Sequence, residues 1–112
     1  MKILKSYQTK YKNPLILKTG DIVTLGEEEK EDKWKGWIRA YTDDNEGWIP
    51  LQIIIISEDG KTGTVTEYYS AKEIDVNEGD SITLIKKLNG WSWIKLESTG
   101  EEGWIPDEII DQ

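Results

Sequence analysis

The chain has 112 residues, carries a formal net charge of −8 and contains neither cysteine nor histidine. The missing cysteines exclude disulfides and thiolate metal sites, and the missing histidines remove the commonest general base and metal ligand. No apolar run approaches the length that crosses a membrane, and the opening MKILKSYQTKYKN turns polar too early for a signal peptide. We therefore expect a cytoplasmic protein with no membrane association, no bound metal and no cofactor.

The negative charge is concentrated in the second half of the chain. Residues 1–56 contain nine Lys or Arg and nine Asp or Glu, whereas residues 57–112 contain five and thirteen. Such an excess of carboxylates repels a phosphate backbone, so nucleic acid is not an expected partner. A basic protein or peptide is favoured instead, although acidity of this kind also serves solubility alone.

Short strands separated by turns account for the first half. Residues 15–17 are apolar, residues 18–21 are typical of a turn, and residues 22–25 are rich in β-branched side chains. A further strand is predicted over residues 37–42. The polar stretch of residues 43–47, with its Asp, Asn and Gly, predicts a hairpin turn.

The second half has the same organisation. Strands are predicted over residues 82–85 and 91–97, and residues 98–103 predict the next hairpin turn. No segment shows a helical period with caps. About five short strands in each half are typical of a small barrel or sandwich.

The tetrapeptide GWIP occurs twice, at residues 47–50 and 103–106, which are 56 positions apart. At the same spacing Trp37 aligns with Trp93. A repeat of half the chain length indicates two small domains, which we place at residues 1–56 and 57–112.

The alignment of the two repeats assigns first-repeat counterparts to Trp91 and Glu73. With Trp37 aligned to Trp93, the residue that corresponds to Trp91 is Lys35. Trp34 reaches that place only through a shift of one residue. Upstream, Pro14 takes the place that Glu73 has in the second repeat.

The second repeat resembles a Src-homology-3 (SH3) domain, and specifically the divergent SH3-like domains of bacteria. The resemblance rests on motifs in the family's order: Tyr68-Tyr69, the step EIDVNEGD at residues 73–80, Trp91, and GEEGWIP at residues 100–106 followed by Ile109-Ile110. The first repeat is similar from Leu15 to Ile54, with a weaker opening between Tyr7 and Tyr11. The resemblance implies an all-β fold of two five-stranded SH3-like barrels in tandem.

In that family a shallow aromatic groove holds an extended polyproline II segment. By resemblance, the ligand-binding residues of the second repeat would be Tyr68 or Tyr69, Glu73, Trp91, Trp104, Pro106 and Ile109. Trp104 would stand at the rim, and Trp91 would be the main anchor. The weaker counterparts in the first repeat would be Tyr11, Trp34, Trp48 and Pro50.

Strand alternation predicts which side chains enter the two cores. The residues expected to be buried are Ile22, Ile38, Ile49 and Ile54 in the first repeat, and Val76, Ile82, Ile94, Ile105 and Ile110 in the second. The same parity places Trp104, Pro106 and Ile109 on the outer, ligand-binding surface. Residues 53–56 are four consecutive isoleucines, more than one strand buries by alternation, so Ile55 or Ile56 is expected to be covered by the other domain.

An enzyme is not expected, because the chain has no phosphate-binding loop and no nucleophile motif. The function favoured by the resemblance is a non-catalytic protein- or peptide-binding module, monomeric or weakly self-associating. The alternative is a structural or assembly module whose grooves are covered by the partner domain or a second copy. A nucleic-acid-binding barrel is a third possibility, which the charge disfavours.

Overall fold

The computed structural model of the chain describes residues 1–9 and 13–111, and describes Lys33 without its side chain. Its strands are β1 (Lys2–Ile3), β2 (Ile16–Leu17), β3 (Ile22–Glu28), β4 (Trp37–Tyr41), β5 (Glu46–Pro50), β6 (Ile54–Ile56), β7 (Thr62–Val65), β8 (Tyr69–Ser70), β9 (Ile82–Leu88), β10 (Trp91–Leu96), β11 (Glu102–Pro106) and β12 (Ile110–Asp111). Three single turns of 3-10 helix complete the elements: Asp32–Trp34, Leu51–Ile53 and Asp107–Ile109. The predicted all-β fold is confirmed.

No helix in the described part of the chain is long and apolar enough to cross a membrane.

The chain divides into two compact units. One, here called the split unit, consists of residues 1–13 and 72–112; the other, the continuous unit, consists of residues 14–71. These units do not coincide with the predicted domains, residues 1–56 and 57–112. The first residues of each repeat belong to the unit that contains most of the other repeat.

In the split unit, β9, β10 and β11 form an antiparallel meander, and β1 pairs with β12. The two-residue turn Asn89-Gly90 joins β9 to β10, and its φ angles of 48° and 89° are the left-handed values that such a hairpin requires. Along β10, half-buried and buried residues alternate strictly. This period is that of a strand with one face in a core.

The core of the split unit contains all five residues predicted for the second repeat. Its buried members are Ile3, Ile74, Val76, Ile82, Ile94, Leu96, Ile105, Ile109 and Ile110. Ile3, which is 2% exposed, comes from the first repeat. Its burial follows from the pairing of β1 with β12, where Ile3 lies opposite Ile110.

In the continuous unit, five antiparallel strands follow the order β5-β4-β3-β7-β6, and β2 pairs with β8. β7 begins the second repeat, yet it lies between β3 and β6 of the first. Each unit therefore receives its opening strand from the other repeat: β1 closes the split unit and β7 closes the continuous one. The two repeats have exchanged equivalent segments.

The core of the continuous unit departs from the prediction at two positions. Ile38 and Ile49 are buried as expected, but Ile22 is 70% exposed and Ile54 is half-buried. The parity of β3 places Val23 inside instead of Ile22. Ile53 enters the core in place of Ile54, because it ends a 3-10 turn and not a strand.

The expected cover of the isoleucine run is also wrong. Ile55 is 66% exposed and Ile56 is 44% exposed. Within the part of the chain that the structure describes, β6 is an edge strand that pairs only with β7, and none of its three isoleucines is fully buried.

Candidate functional site

The strand register identifies which tryptophan of each unit lies opposite the GWIP proline. In the split unit Trp91 is the partner of Pro106, and in the continuous unit Trp37 is the partner of Pro50. Trp37 is thus the counterpart of Trp91, where the sequence predicted Lys35 or a shifted Trp34. The separation is 54 positions and not 56, because the hairpin turn after β10 is two residues longer than the turn after β4.

The backbone supports this equivalence. The amide of Asp107 donates to the carbonyl of Gly90 at 3.0 Å, and the amide of Leu51 donates to the carbonyl of Gly36 at 2.8 Å. Both glycines have positive φ, 89° and 101°, which residues with a Cβ rarely adopt. The dipeptides Gly36-Trp37 and Gly90-Trp91 therefore occupy equivalent places at the start of β4 and of β10.

Trp91 lies beside a tyrosine from the start of the chain. The ring of Tyr7 meets the ring of Trp91 edge to face, with centroids 6.3 Å apart and planes at 77°. Tyr7 is held by backbone hydrogen bonds with Val76 in both directions, at 2.9 and 3.0 Å. Both rings are half-buried, so each keeps part of its face open to solvent.

Two carboxylates accept hydrogen bonds from the segment that carries Tyr7. The hydroxyl of Tyr7 donates to the carboxylate of Glu73, and the amide of Thr9 donates to Asp75 at 2.8 Å. Burial raises the pKa of the Glu73 carboxyl above its ordinary value, while hydrogen bonds from Tyr7 and Thr9 act in the opposite direction. Glu73 therefore stands at the margin of the aromatic pair as a partly desolvated acidic group.

The groups that meet at this site are two aromatic rings and a carboxylate. Among the described residues, no group of three or more acidic side chains is arranged to hold a metal ion. The pair Tyr7 and Trp91 offers flat aromatic surface, and Glu73 offers a hydrogen-bond acceptor. Surfaces of this kind bind extended chains carrying apolar and basic groups.

Comparison with known families agrees with this geometry. Residues 1–57 match the model of the variant SH3 domain, and residues 69–107 match that of the SH3 domain. The chain belongs to the SH3 domain family. The tandem pair predicted from the sequence is confirmed. Neither the curated proteins nor the solved structures contained a match.

SH3 domains are generally protein-interaction modules that lack catalytic activity.

The residues of the continuous unit that correspond to Tyr7 and Trp91 are more deeply buried. Tyr69 is the equivalent of Tyr7, since it pairs with Leu17 as Tyr7 pairs with Val76. Tyr69 is only 7% exposed, and its hydroxyl donates to the carbonyl of Trp48 at 3.3 Å.

Two further differences separate this second SH3 groove from the first. Trp37 is only 6% exposed, whereas Trp91 is half-buried. Pro14 stands three residues before Leu17, as Glu73 stands three residues before Val76, so the continuous unit has no carboxylate at this point. Of the two grooves, it is that of the split unit whose aromatic and acidic groups are accessible.

The two tyrosines predicted to flank Trp91 are in the other SH3 unit. Tyr68 and Tyr69 both belong to the continuous unit, where Tyr68 is 64% exposed. The expectation was wrong because the opening segments of the repeats are exchanged. Glu73 and Trp91, by contrast, are brought together with Tyr7.

Trp104 is not at a rim. It is 5% exposed, and its ring meets that of Trp93 edge to face with centroids 5.4 Å apart. Its amide donates to the carbonyl of Lys72 at 2.8 Å, which draws residues 72–74 over this strand. Trp93 itself is half-buried and donates through its indole N–H to Glu102 at 2.8 Å.

Pro106 and Ile109 are buried as well. Pro106 lies opposite Trp91, but its predicted place on the outer, ligand-binding surface was wrong because it is buried. The predicted outward direction of Ile109 was wrong, because residues Asp107–Ile109 form a 3-10 turn in which strand alternation does not apply. Ile109 is 5% exposed and belongs to the core.

The weaker predictions for the first repeat have mixed outcomes. Tyr11 lies outside the described residues. Trp34 is half-buried in the turn Asp32–Trp34, and Pro50 is buried opposite Trp37. Trp48 is half-buried beneath the guanidinium of Arg39, 5.6 Å from the ring centre.

Sequence reasoning missed Tyr7 and Trp37 as groove positions. The signal for Trp37 was present, since Gly36-Trp37 and Gly90-Trp91 are the same dipeptide. Tyr7 stands at the end of the segment ILKSY, which suggests an opening strand. The sequence does not show whether this segment pairs with β6 or with β12.

Proposed function

We propose that the protein is a non-catalytic module that binds an extended protein segment at the groove of the split unit. The observation that carries this proposal is the contact of Tyr7 with Trp91, two half-exposed rings set at 77° beside the Glu73 carboxylate. Pro106 lies opposite Trp91 and is buried, so the surface offered to a ligand is that of the two rings.

The aromatic pair favours a ligand with little conformational entropy to lose. Edges and faces of tyrosine and tryptophan bind the ridges of a polyproline II helix, which is already extended before it binds. Because the rings are fixed by strand β10 and by the hydrogen bonds of Tyr7 with Val76, the groove is formed in advance. Aromatic anchors of this kind supply most of the free energy at such sites.

The acidic groups favour a ligand with Lys or Arg. Glu73 is partly buried next to the rings, and Asp75, two residues further along the chain, is exposed. A basic residue placed here would be attracted to Glu73 in a partly desolvated environment, where charge pairing is stronger than at a fully exposed site. Association should therefore weaken as salt is added.

The continuous unit is better suited to a structural role. Its Trp37 and Tyr69 are 6% and 7% exposed, so their rings present little surface to a ligand. The proposed binding function therefore rests on the split unit. We expect the protein to act as a monomer or to associate weakly with itself.

A phage-displayed library of random peptides, panned on the full chain, tests this function. Peptides that bind should be enriched in Pro and in Lys or Arg. Trp91→Ala should weaken their binding by about 2 kcal/mol or more, while Tyr68→Ala, which removes an exposed tyrosine of the other unit, should leave it unchanged. Equal binding by wild type and Trp91→Ala, in a variant whose spectrum shows a folded chain, would exclude this groove.

A further inference from the structure

A second surface lies on the outer face of the five-stranded sheet of the continuous unit. Ile55, Thr64 and Ile22 lie directly opposite one another on β6, β7 and β3, and all three are exposed. Ile22 is 70% and Ile55 is 66% exposed. Residues paired in this way project from the same face, so they form one continuous apolar row.

The next row on this face ends in an aromatic side chain. Thr24 lies opposite Thr62 on one side and opposite Tyr41 on the other. Tyr41 is 38% exposed, and its ring lies across Gly26, where a Cβ would stand 2.9 Å from the Tyr41 Cε2 atom. The glycine therefore lets the ring lie close to the sheet and exposes one side of it.

Between these rows and the neighbouring loops the surface forms a recess of about 330 Å³. Ile22 and Tyr41 line it, together with the carboxylates of Asp21 and Asp43. No Lys or Arg is among the lining residues. Arg39, which is on β4 two residues before Tyr41, forms an ion pair with Glu46 at 2.9 Å and lies over the ring of Trp48.

The exchange of opening segments also changes where the charge of the chain lies. Residues 14–71 contain six Lys or Arg and twelve Asp or Glu, a net charge of −6, whereas the residues of the split unit have eight and ten, a net charge of −2. The acidic excess thus belongs to the unit that carries the exposed isoleucine row. An apolar patch bordered by carboxylates attracts a partner of opposite charge.

We propose that this face, called here the isoleucine face and consisting of Ile22, Thr24, Tyr41, Ile55 and Thr64, is a docking surface for a protein partner whose Lys or Arg side chains border apolar ones. The apolar side chains of the partner cover Ile22 and Ile55, and its cations reach Asp21 and Asp43 in the recess. A second copy of this chain is disfavoured as the occupant, because each copy would bring a unit of charge −6 to the contact.

This surface is separate from the groove of the split unit. It uses none of Tyr7, Glu73 or Trp91, and it belongs to the unit whose own aromatic groove residues are buried. The protein therefore has two recognition surfaces, one on each unit. The continuous unit contributes to binding through its sheet and not through Trp37.

Three short synthetic peptides test the proposal with the isotope-labelled full chain. One alternates Lys and Val, the second alternates Lys and Ser, and the third alternates Glu and Val. The Lys and Val peptide should shift the amide signals of Ile22, Thr24, Tyr41 and Thr64. The other two should bind roughly tenfold more weakly or not at all, because each lacks one of the two required chemistries.

Matched variants locate the contact. Ile22→Ser should reduce the affinity of the Lys and Val peptide at the isoleucine face about tenfold, while Ile85→Ser, which changes an isoleucine of the split unit that is 52% exposed, should leave it unchanged. Both positions are exposed, so both variants should fold. Shifts that appear near Trp91 but survive Ile22→Ser belong to the proposed groove and not to this face.

Three results would overturn the proposal. The first is the absence of shifts on the isoleucine face with the Lys and Val peptide. The second is equal binding of the Lys and Ser peptide, which indicates charge attraction alone. The third is association of the free protein in sedimentation experiments that Ile22→Lys abolishes, which makes the face a contact between copies of this chain.

Discussion

Tyr7 contacts Trp91 edge to face at 6.3 Å, although the two residues belong to different repeats of the sequence. The contact exists because the opening segment of the first repeat completes the unit formed by residues 72–112. The aromatic groove of that unit is therefore assembled from both ends of the described chain. Stability and binding in the split unit should both depend on the first few residues.

Ile3→Ala should destabilise the split unit by about 2–5 kcal/mol, the usual cost of removing a buried isoleucine side chain down to Cβ. Ile3 is 2% exposed in a core made otherwise of residues from the second repeat. Urea unfolding of the full chain, followed by amide signals from β9 and β10, measures the loss. Ile16→Ala, at a position that is 53% exposed, is the matched control and should change the stability by less than about 0.5 kcal/mol. An unchanged stability for Ile3→Ala would show that β1 does not complete this core.

Engineered cysteines can report the exchange of strands directly, because the chain has no cysteine of its own. Lys2 lies opposite Asp111 in the pairing of β1 with β12, so Lys2→Cys with Asp111→Cys should form a disulfide under mild oxidation. In an unexchanged chain, Lys2 would occupy the place of Thr64, opposite Ile55. Lys2→Cys with Ile55→Cys should accordingly remain reduced. Mass measurement after alkylation distinguishes the two, and the reverse pattern would show contiguous domains.

Glu73→Gln should change how stability depends on pH. Because burial raises the pKa of Glu73 in the folded state, its contribution to stability is fully present below the unfolded pKa, about 4.3, and is lost as the pH rises through the folded pKa. Glutamine does not ionise and still accepts the hydrogen bond of Tyr7. The variant should gain stability relative to wild type above this range, as thermal unfolding across pH would show. Asp75→Asn serves as the comparison at an exposed carboxylate; a similar gain there would remove Glu73 as the cause.

The two GWIP glycines differ in the space around them. A Cβ at Gly103 would stand 2.5 Å from the Cγ2 atom of Ile74, whereas a Cβ at Gly47 would stand 3.3 Å from the Cβ atom of Leu15. Gly103→Ala should therefore destabilise the protein by about 1–3 kcal/mol through overpacking, and Gly47→Ala by less. Chemical denaturation of the two variants provides the test. Equal losses would mean that Ile74 moves aside without cost.

Much of this fold follows from the alternation of apolar residues. The sequence predicts most of the strands, the repeat and five of the buried residues of the second repeat, because alternation along a strand sends every second side chain to the same face. The misplacement of Ile22 is a failure of parity by one residue, which inverts a whole strand. Ile109 was misjudged because a 3-10 turn interrupts the strand pattern.

The site was less predictable for a different reason. Residues 2–7 and 64–69 are equivalent opening segments of the two repeats, and their local sequence does not state which closing strand, β6 or β12, each one pairs with. Trp37 was missed because the turn after β4 is two residues shorter than its counterpart, which displaced the alignment. Long-range pairing and loop length, and not residue type, determined these outcomes.

The pairing of β1 with β12 also imposes an order on biosynthesis. Every strand of the continuous unit has been made once residue 71 leaves the ribosome, so this unit can fold while the chain is still being synthesised. Ile3, by contrast, must wait for Ile110 before it reaches its partner. Until then the nascent chain carries an unpaired first strand, and in the folded continuous unit β7 already occupies the place beside β6.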